Sequence, residues 1–171
     1  PIISIYAQEY SNTTPFLIGI AIGIHGLTQA SLQIPFGFLS DKFGRKPILL
    51  IGLFIFLIGS VIAAMTDNII FLIIGRAIQG GGAISAVLMA FLADFVREER
   101  RTRANALIGI QIGLAFTVSI IIAPIVASFI GMSGIFWLIS ILSILSILIV
   151  FSLPKVKPEK YHNIKKTSLK S

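Results

Sequence analysis

The sequence predicts an all-α, multi-pass transmembrane helix bundle, and three observations lead there. Hydrophobic residues make up 56% of the 171 positions and charged residues only 12%, a balance that spanning helices require and a water-soluble domain does not. The apolar residues fall in runs of membrane length separated by short polar connections. The cations keep to those connections and to the tail: Lys42, Arg45, Lys46, Arg97, Arg100, Arg101, Arg103, Lys155, Lys157, Lys160, Lys165, Lys166 and Lys170, with Arg76 the exception. In a soluble protein a formal charge of +7 would suggest nucleic acid. Beside apolar runs it marks a membrane face instead, and no nucleic-acid partner is expected.

Residues 1–7 read as the last turns of a first helix that begins upstream, since Pro1 is no initiator and the stretch is too short for a secretory signal. The polar stretch from Gln8 to Thr14 follows as an outer loop, and its Asn12-Thr13-Thr14 fits a glycosylation pattern. A hydrocarbon core of about 30 Å takes about 20 helical residues. Segments 15–40, 47–66, 69–95, 104–129 and 132–153 answer to that length and are taken as helices two to six. Connections 41–46 and 97–103 are rich in Lys and Arg, whereas 8–14, 66–68 and 130–131 carry none. The positive-inside rule therefore puts the first set in the cytoplasm. The tail 154–171, basic and without apolar periodicity, is predicted to be a solvated cytoplasmic linker after a half-bundle spanning 1–153.

The chain carries no cysteine, so no thiolate metal site or disulfide is expected. No nucleophile, acid pair or set of metal ligands converges. The expectation is a non-enzyme without metal or cofactor, whose partners are the lipid bilayer, a small molecule and other parts of the membrane assembly.

A few polar groups break the apolar runs. Arg76 lies about seven residues into its segment, roughly 10 Å from the outer end at 1.5 Å per residue; a cation there must face protein or water, or snorkel to the headgroups. His25, Gln29 and Gln33 recur every fourth residue and form one polar stripe, with Gly37 continuing the line. In lipid that stripe turns inward, to line a cavity or to bond a neighbouring helix. Gly80-Gly81-Gly82 is no phosphate loop, because no Lys-Ser or Lys-Thr follows; close helix packing by Gly80 and Gly82 accounts for it. Pro124, among Gly109, Gly113, Ser119, Ala123, Ala127 and Ser128, predicts a bent, closely packed helix.

The box from Gly37 to Leu49 is the most specific feature. Its order Gly37, Leu39, Asp41, Lys42, Gly44, Arg45, Lys46, Leu49 resembles the loop 2-3 signature of the major facilitator superfamily. Leu72, Arg76, Gln79, Gly80, Gly82 and Ala83 resemble that superfamily's helix-four motif, and residues 93–109 its loop 4-5. Around Pro124, Ala123 and the Ala127-Ser128 pair resemble a degenerate antiporter signature in which glycines flank the proline. Within the superfamily the chain is similar to the drug:proton antiporters, and over residues 18–47 to the YajR-like transporters.

The resemblance implies the N-terminal six-helix half of a carrier with helix one truncated. Two halves would rock about a midplane cavity, exporting a small molecule against protons across the cell inner membrane. It implies that Arg76 and Gln79 serve proton coupling beside a polar or acidic group on helix one. It further implies that Asp41, Arg45 and Asp94 form a cytoplasmic gate, and that the C-terminal half of the same transporter is the partner. A proton symporter or uniporter for a nutrient such as a sugar, and a non-transporting membrane remnant, stay open as alternatives.

Overall fold

The structure, a computed structural model, describes residues 2–153; the linker expected at 154–171 lies outside the described residues. It is helical throughout: α1 (Ile2–Tyr6), a 3-10 turn (Ala7–Glu9), α2 (Pro15–Phe43), α3 (Arg45–Ala64), α4 (Ile69–Gly81), α5 (Ser85–Phe95) and α6 (Glu98–Ser152). Local chemistry sets the starts. Thr14 Oγ1 accepts from the Leu17 amide at 3.3 Å, with Pro15 in the first turn of α2. Asn68 Oδ1 accepts from the Ile70 amide at 2.9 Å to open α4. Gly44, at φ 97°, makes the whole connection between α2 and α3, a conformation that glycine adopts without the clash a Cβ would bring.

Several expected boundaries shift. The second helix runs on to Phe43 and the third begins at Arg45, so the charged turns are helical, because water at a membrane face satisfies ionic side chains on a helix end as well as on a loop. The helix expected over 69–95 breaks at residues 82–84 into α4 and α5. Its glycine run carries a propensity penalty of about 1 kcal/mol per residue, and Gly82 is pressed against the Gly52 carbonyl oxygen and Phe56. The helix expected from Ala104 starts at Glu98. α6 keeps helical dihedrals through Pro124 and departs from them at Gly131 (φ 67°, ψ −178°), where two arms meet. Among the described residues four helical stretches are long and apolar enough to cross a bilayer, Ile69–Phe95 being α4 and α5 taken together, and the last, Glu99–Ser152, has length for two crossings. The arm 132–152 alone spans about 30 Å.

α3 and α4 form the tightest pair. A Cβ on Gly75 would lie 2.9 Å from both the Ala63 nitrogen and the Gly59 oxygen, and one on Gly59 would collide with the Gln79 backbone. Two buried clusters hold the rest. At one end Ala7, Tyr10, Ala21, Ala63, Ala64, Ile69 and Leu72 pack with Met132 and Phe136. At the other Ile48, Leu49, Leu53 and Val87 pack with Ile147 and Val150. The α6 arm 98–130 stands off: from Asn105 to Ile122 every residue but the half-buried Ile108 is exposed. Lipid accepts such an apolar surface without penalty.

The connections sort by charge. At one end the 8–14 loop meets the 65–68 turn, where Ser11 N–H donates to Asp67 O at 2.9 Å and Ile69 N–H to Ser11 O at 3.3 Å. Ser133 Oγ donates to Ala64 O at the same end. At the other end the α2–α3 hairpin, the end of α5 and the end of α6 are joined through Arg45 and Lys46. Among the described residues the cation-bearing connections thus share one end of the bundle.

Candidate functional site

Arg76 is the one charged residue of α4. Its Nη1 donates to Gln79 Oε1 at 2.7 Å and its Nε to the Ala21 carbonyl of α2 at 3.4 Å. Gln79, only 2% exposed, donates through Nε2 to Ser60 Oγ of α3 at 2.9 Å. Ser60, fully buried, donates in turn to Phe56 O at 2.7 Å. One hydrogen-bonded row therefore crosses from α2 through α4 to α3. Arg76 also borders a cavity of about 510 Å³ lined mostly by apolar residues of both α6 arms, among them Phe116, Ala123, Val126, Phe136 and Ile139. Pro124 does not line it; its neighbour Ala123 does.

The glycines beside Arg76 place this row. Gly80 lets α2 come so close that a Cβ there would meet the His25 carbonyl and the Thr28 hydroxyl. Gly82 does the same against α3. The α2 stripe consequently faces α4 and α5. His25 is half-buried and its Nδ1 has no hydrogen-bond partner among the described residues. Gln29 Nε2 donates to Ser85 Oγ of α5 at 3.2 Å. Gln33 borders a cavity of about 530 Å³ together with Ala30, Ile34, Gly37, Phe38, Asp41 and Ala86. So the three share a face, on which Gln33 borders this cavity and Gln29 bonds α5.

At the cationic end the first turn of α3 is a hub. Arg45 pairs with Asp41, four residues earlier, and its Nε lies 3.3 Å from Asp94 Oδ2 of α5. Its Nη1 also donates to Ser40 Oγ at 2.8 Å, while Ser40 donates to Gly37 O at 2.7 Å. Lys42 lies 5.4 Å from the centroid of the neighbouring Phe43 ring. Lys46 Nζ donates to the Phe151 carbonyl at 2.8 Å and to that of Leu153, with the Phe151 ring 5.7 Å away. Leu39 is exposed. Among the described residues no three His, Cys, Asp or Glu side chains are placed to hold a metal.

Sequence reasoning missed Ser60, Ser40 and Ser85. Ser60 is the one hydroxyl of α3 and Ser85 that of α5, but a helical serine by itself signals little: Ser140 and Ser146 of α6 bond the carbonyl four residues back in their own helix. Only the packing distinguishes a serine that reaches another helix.

The Arg45–Asp94 pair has side chains 21% and 34% exposed, so solvent screens it and it is worth about 1 kcal/mol or less. That scale suits a contact made in one state and broken in another, because about 1 kcal/mol moves a two-state balance roughly fivefold. Asp94→Ala is accordingly expected to raise, by about fivefold, the labelling rate of a cysteine placed at the cavity-lining Ala86, read with a membrane-impermeant maleimide.

Membrane-length helical stretches, a hydrogen-bonded row that runs from a cation across three helices and a charged hub at one end define a multi-pass membrane protein. Residues 1–170 match the Major Facilitator Superfamily, and the chain belongs to that family. It is 51% identical over 167 residues to an uncharacterized transporter of Buchnera aphidicola subsp. Schizaphis graminum, covering 97% of this chain and 43% of that protein. It is 49% identical over 143 residues to the inner membrane transport protein YajR of Escherichia coli, covering 84% and 32%. It is 33% identical over 105 residues to multidrug resistance protein 3 of Bacillus subtilis, covering 60% and 20%. The matches thus cover less than half the length of each of these relatives. The first two are named for transport, and the family is one of secondary transporters rather than enzymes.

Proposed function

We propose that the chain is the N-terminal half of a proton-coupled exporter of a small molecule in the cell inner membrane, working by alternating access with a C-terminal half of the same transporter. The carrying observation is Arg76. Its hydrogen bonds among the described residues go only to neutral acceptors, an amide oxygen and a carbonyl. A cation at that depth is costly without a counter-charge. A counter-charge that comes and goes, such as a carboxylate that gains and loses a proton, would turn that cost into a switch. Gln79 holds Arg76 in this scheme, and Gln33 faces the substrate path.

The names of the YajR and multidrug relatives support inner-membrane location and efflux. The gathering of cation-bearing connections at one end supports a cytoplasmic hub of Asp41, Arg45 and Asp94, with the basic tail leaving on that side.

Inverted vesicles carrying the full-length protein test the reading. Acidified vesicles followed with a pH-sensitive dye are expected to release protons when a transported lipophilic cation is added. Substrate movement without proton release would replace exchange with facilitated diffusion. Movement in the same direction as protons would favour the symport alternative, for which the Ala123 and Ala127-Ser128 departures around Pro124 are the sequence signal.

A further inference from the structure

We propose that Ser60 is a positioning residue for Arg76, acting through Gln79. The inference rests on the coupling role given to Arg76 and adds a residue that no motif contains.

Donor and acceptor chemistry fixes the direction of the row. A guanidinium only donates and a carbonyl only accepts. Arg76 at one end and Phe56 O at the other therefore oblige every bond between them to point the same way. Arg76 N–H donates to Gln79 Oε1, Gln79 Nε2–H to Ser60 Oγ, and Ser60 O–H to Phe56 O. No bond in the row can be reversed. The hydroxyl is what lets this work: Ser60 spends its only proton on Phe56 O and so presents a lone pair to the amide.

The packing keeps the row dry. Gly59, beside Ser60, is in backbone contact range of Gln79 and Gly75, and Ser60 and Gln79 are 0% and 2% exposed. Water therefore has little access to replace the lost acceptor. With alanine at position 60, Gln79 Nε2 is left buried without a partner. The amide then gains by rotating away, which withdraws Oε1 from Arg76. A carboxamide is not a proton carrier, so the row does not conduct protons. Its role is to hold the guanidinium in one place.

The test is a double-mutant cycle in the full-length transporter, reading substrate-driven proton release per unit of protein in the membrane. Ser60→Ala alone is expected to lower the rate about tenfold, the scale of a lost hydrogen bond that leaves a buried group unpaired. In a Gln79→Met background, where the link to Arg76 is already cut, Ser60→Ala is expected to change the rate by less than twofold. An equal effect in both backgrounds would mean that Ser60 matters only for packing, and would overturn the inference. So would an unaltered rate in the single variant. If Arg76→Ala retains full proton release, the coupling role of Arg76 fails. If Arg76→Ala is inactive while the cycle shows no interaction, only the role of Ser60 fails.

Discussion

Arg76→Ala is expected to lower substrate-driven proton release by on the order of a hundredfold, with the protein still folded and present in the membrane. The substitution removes the one charge of α4. It also strips Gln79 Oε1 and the Ala21 carbonyl of their donors. Lost bonds to a charged group are worth about 1.5–3 kcal/mol each, enough to account for a factor of that size. Arg76→Lys separates charge from geometry. An ammonium keeps the charge but lacks the planar fork that reaches α2 and Gln79 together, so partial activity, about a tenth of wild type, is expected. Full proton release by Arg76→Ala would remove Arg76 from the coupling step.

Gly75→Leu is expected to prevent the half-bundle from assembling. The first atom of the new side chain would already lie 2.9 Å from two backbone atoms of α3, the Ala63 nitrogen and the Gly59 oxygen. Backbone cannot move aside as a flexible side chain would, so α3 and α4 must separate. That separation breaks the tightest packing in the molecule and pulls Gln79 from Ser60. Overpacking a well-packed contact costs about 1–3 kcal/mol, and a clash with backbone lies at the top of that range. The measurement is the amount of monodisperse protein recovered in mild detergent and its melting temperature. Gly109→Leu is the matched control. Nothing stands within 4 Å of a Cβ there, and the melting temperature is expected to stay within 2 °C or so of wild type.

The contrast between these two glycines shows what was legible in the sequence. Length and hydropathy of the runs located the helices, because a bilayer of fixed thickness sets how many apolar residues a crossing needs. The distribution of Lys and Arg predicts their alternation, because charge is tolerated only at the ends. Among the described residues the two cation-bearing connections meet at one end of the bundle, as that distribution leads one to expect. Arg76 stood out as a cation out of place, and its need for partners followed from cost alone.

What stayed hidden depends on which way a residue faces. Gly75 and Gly109 look alike in sequence, yet one faces the α3 backbone and the other faces open space. Ser60 looks like Ser140 or Ser146, since each bonds the carbonyl four residues back. Only the arrival of Gln79 on its second lone pair sets it apart. The glycine run at 80–82 was read as packing. It is packing, and it also ends α4, because the same lack of side chains that admits a neighbour lowers helix propensity. Spacing groups His25 and Gln29 with Gln33, but it does not show that Gln29 reaches Ser85 of α5 while Gln33 borders a cavity beside Asp41.

The central claim is that the apolar segments cross the bilayer in alternation, with the hub of Arg45, Asp41 and Asp94 in the cytoplasm. The sequence has no cysteine, so single cysteines introduced at Gly44, Arg100 and Asp67 report sidedness directly through an impermeant maleimide applied to intact cells and to inverted vesicles. Positions 44 and 100 should label only in inverted vesicles, and position 67 only in intact cells. Labelling of 44 and 100 from opposite sides would contradict the crossing pattern, and with it the hub and the carrier built upon it.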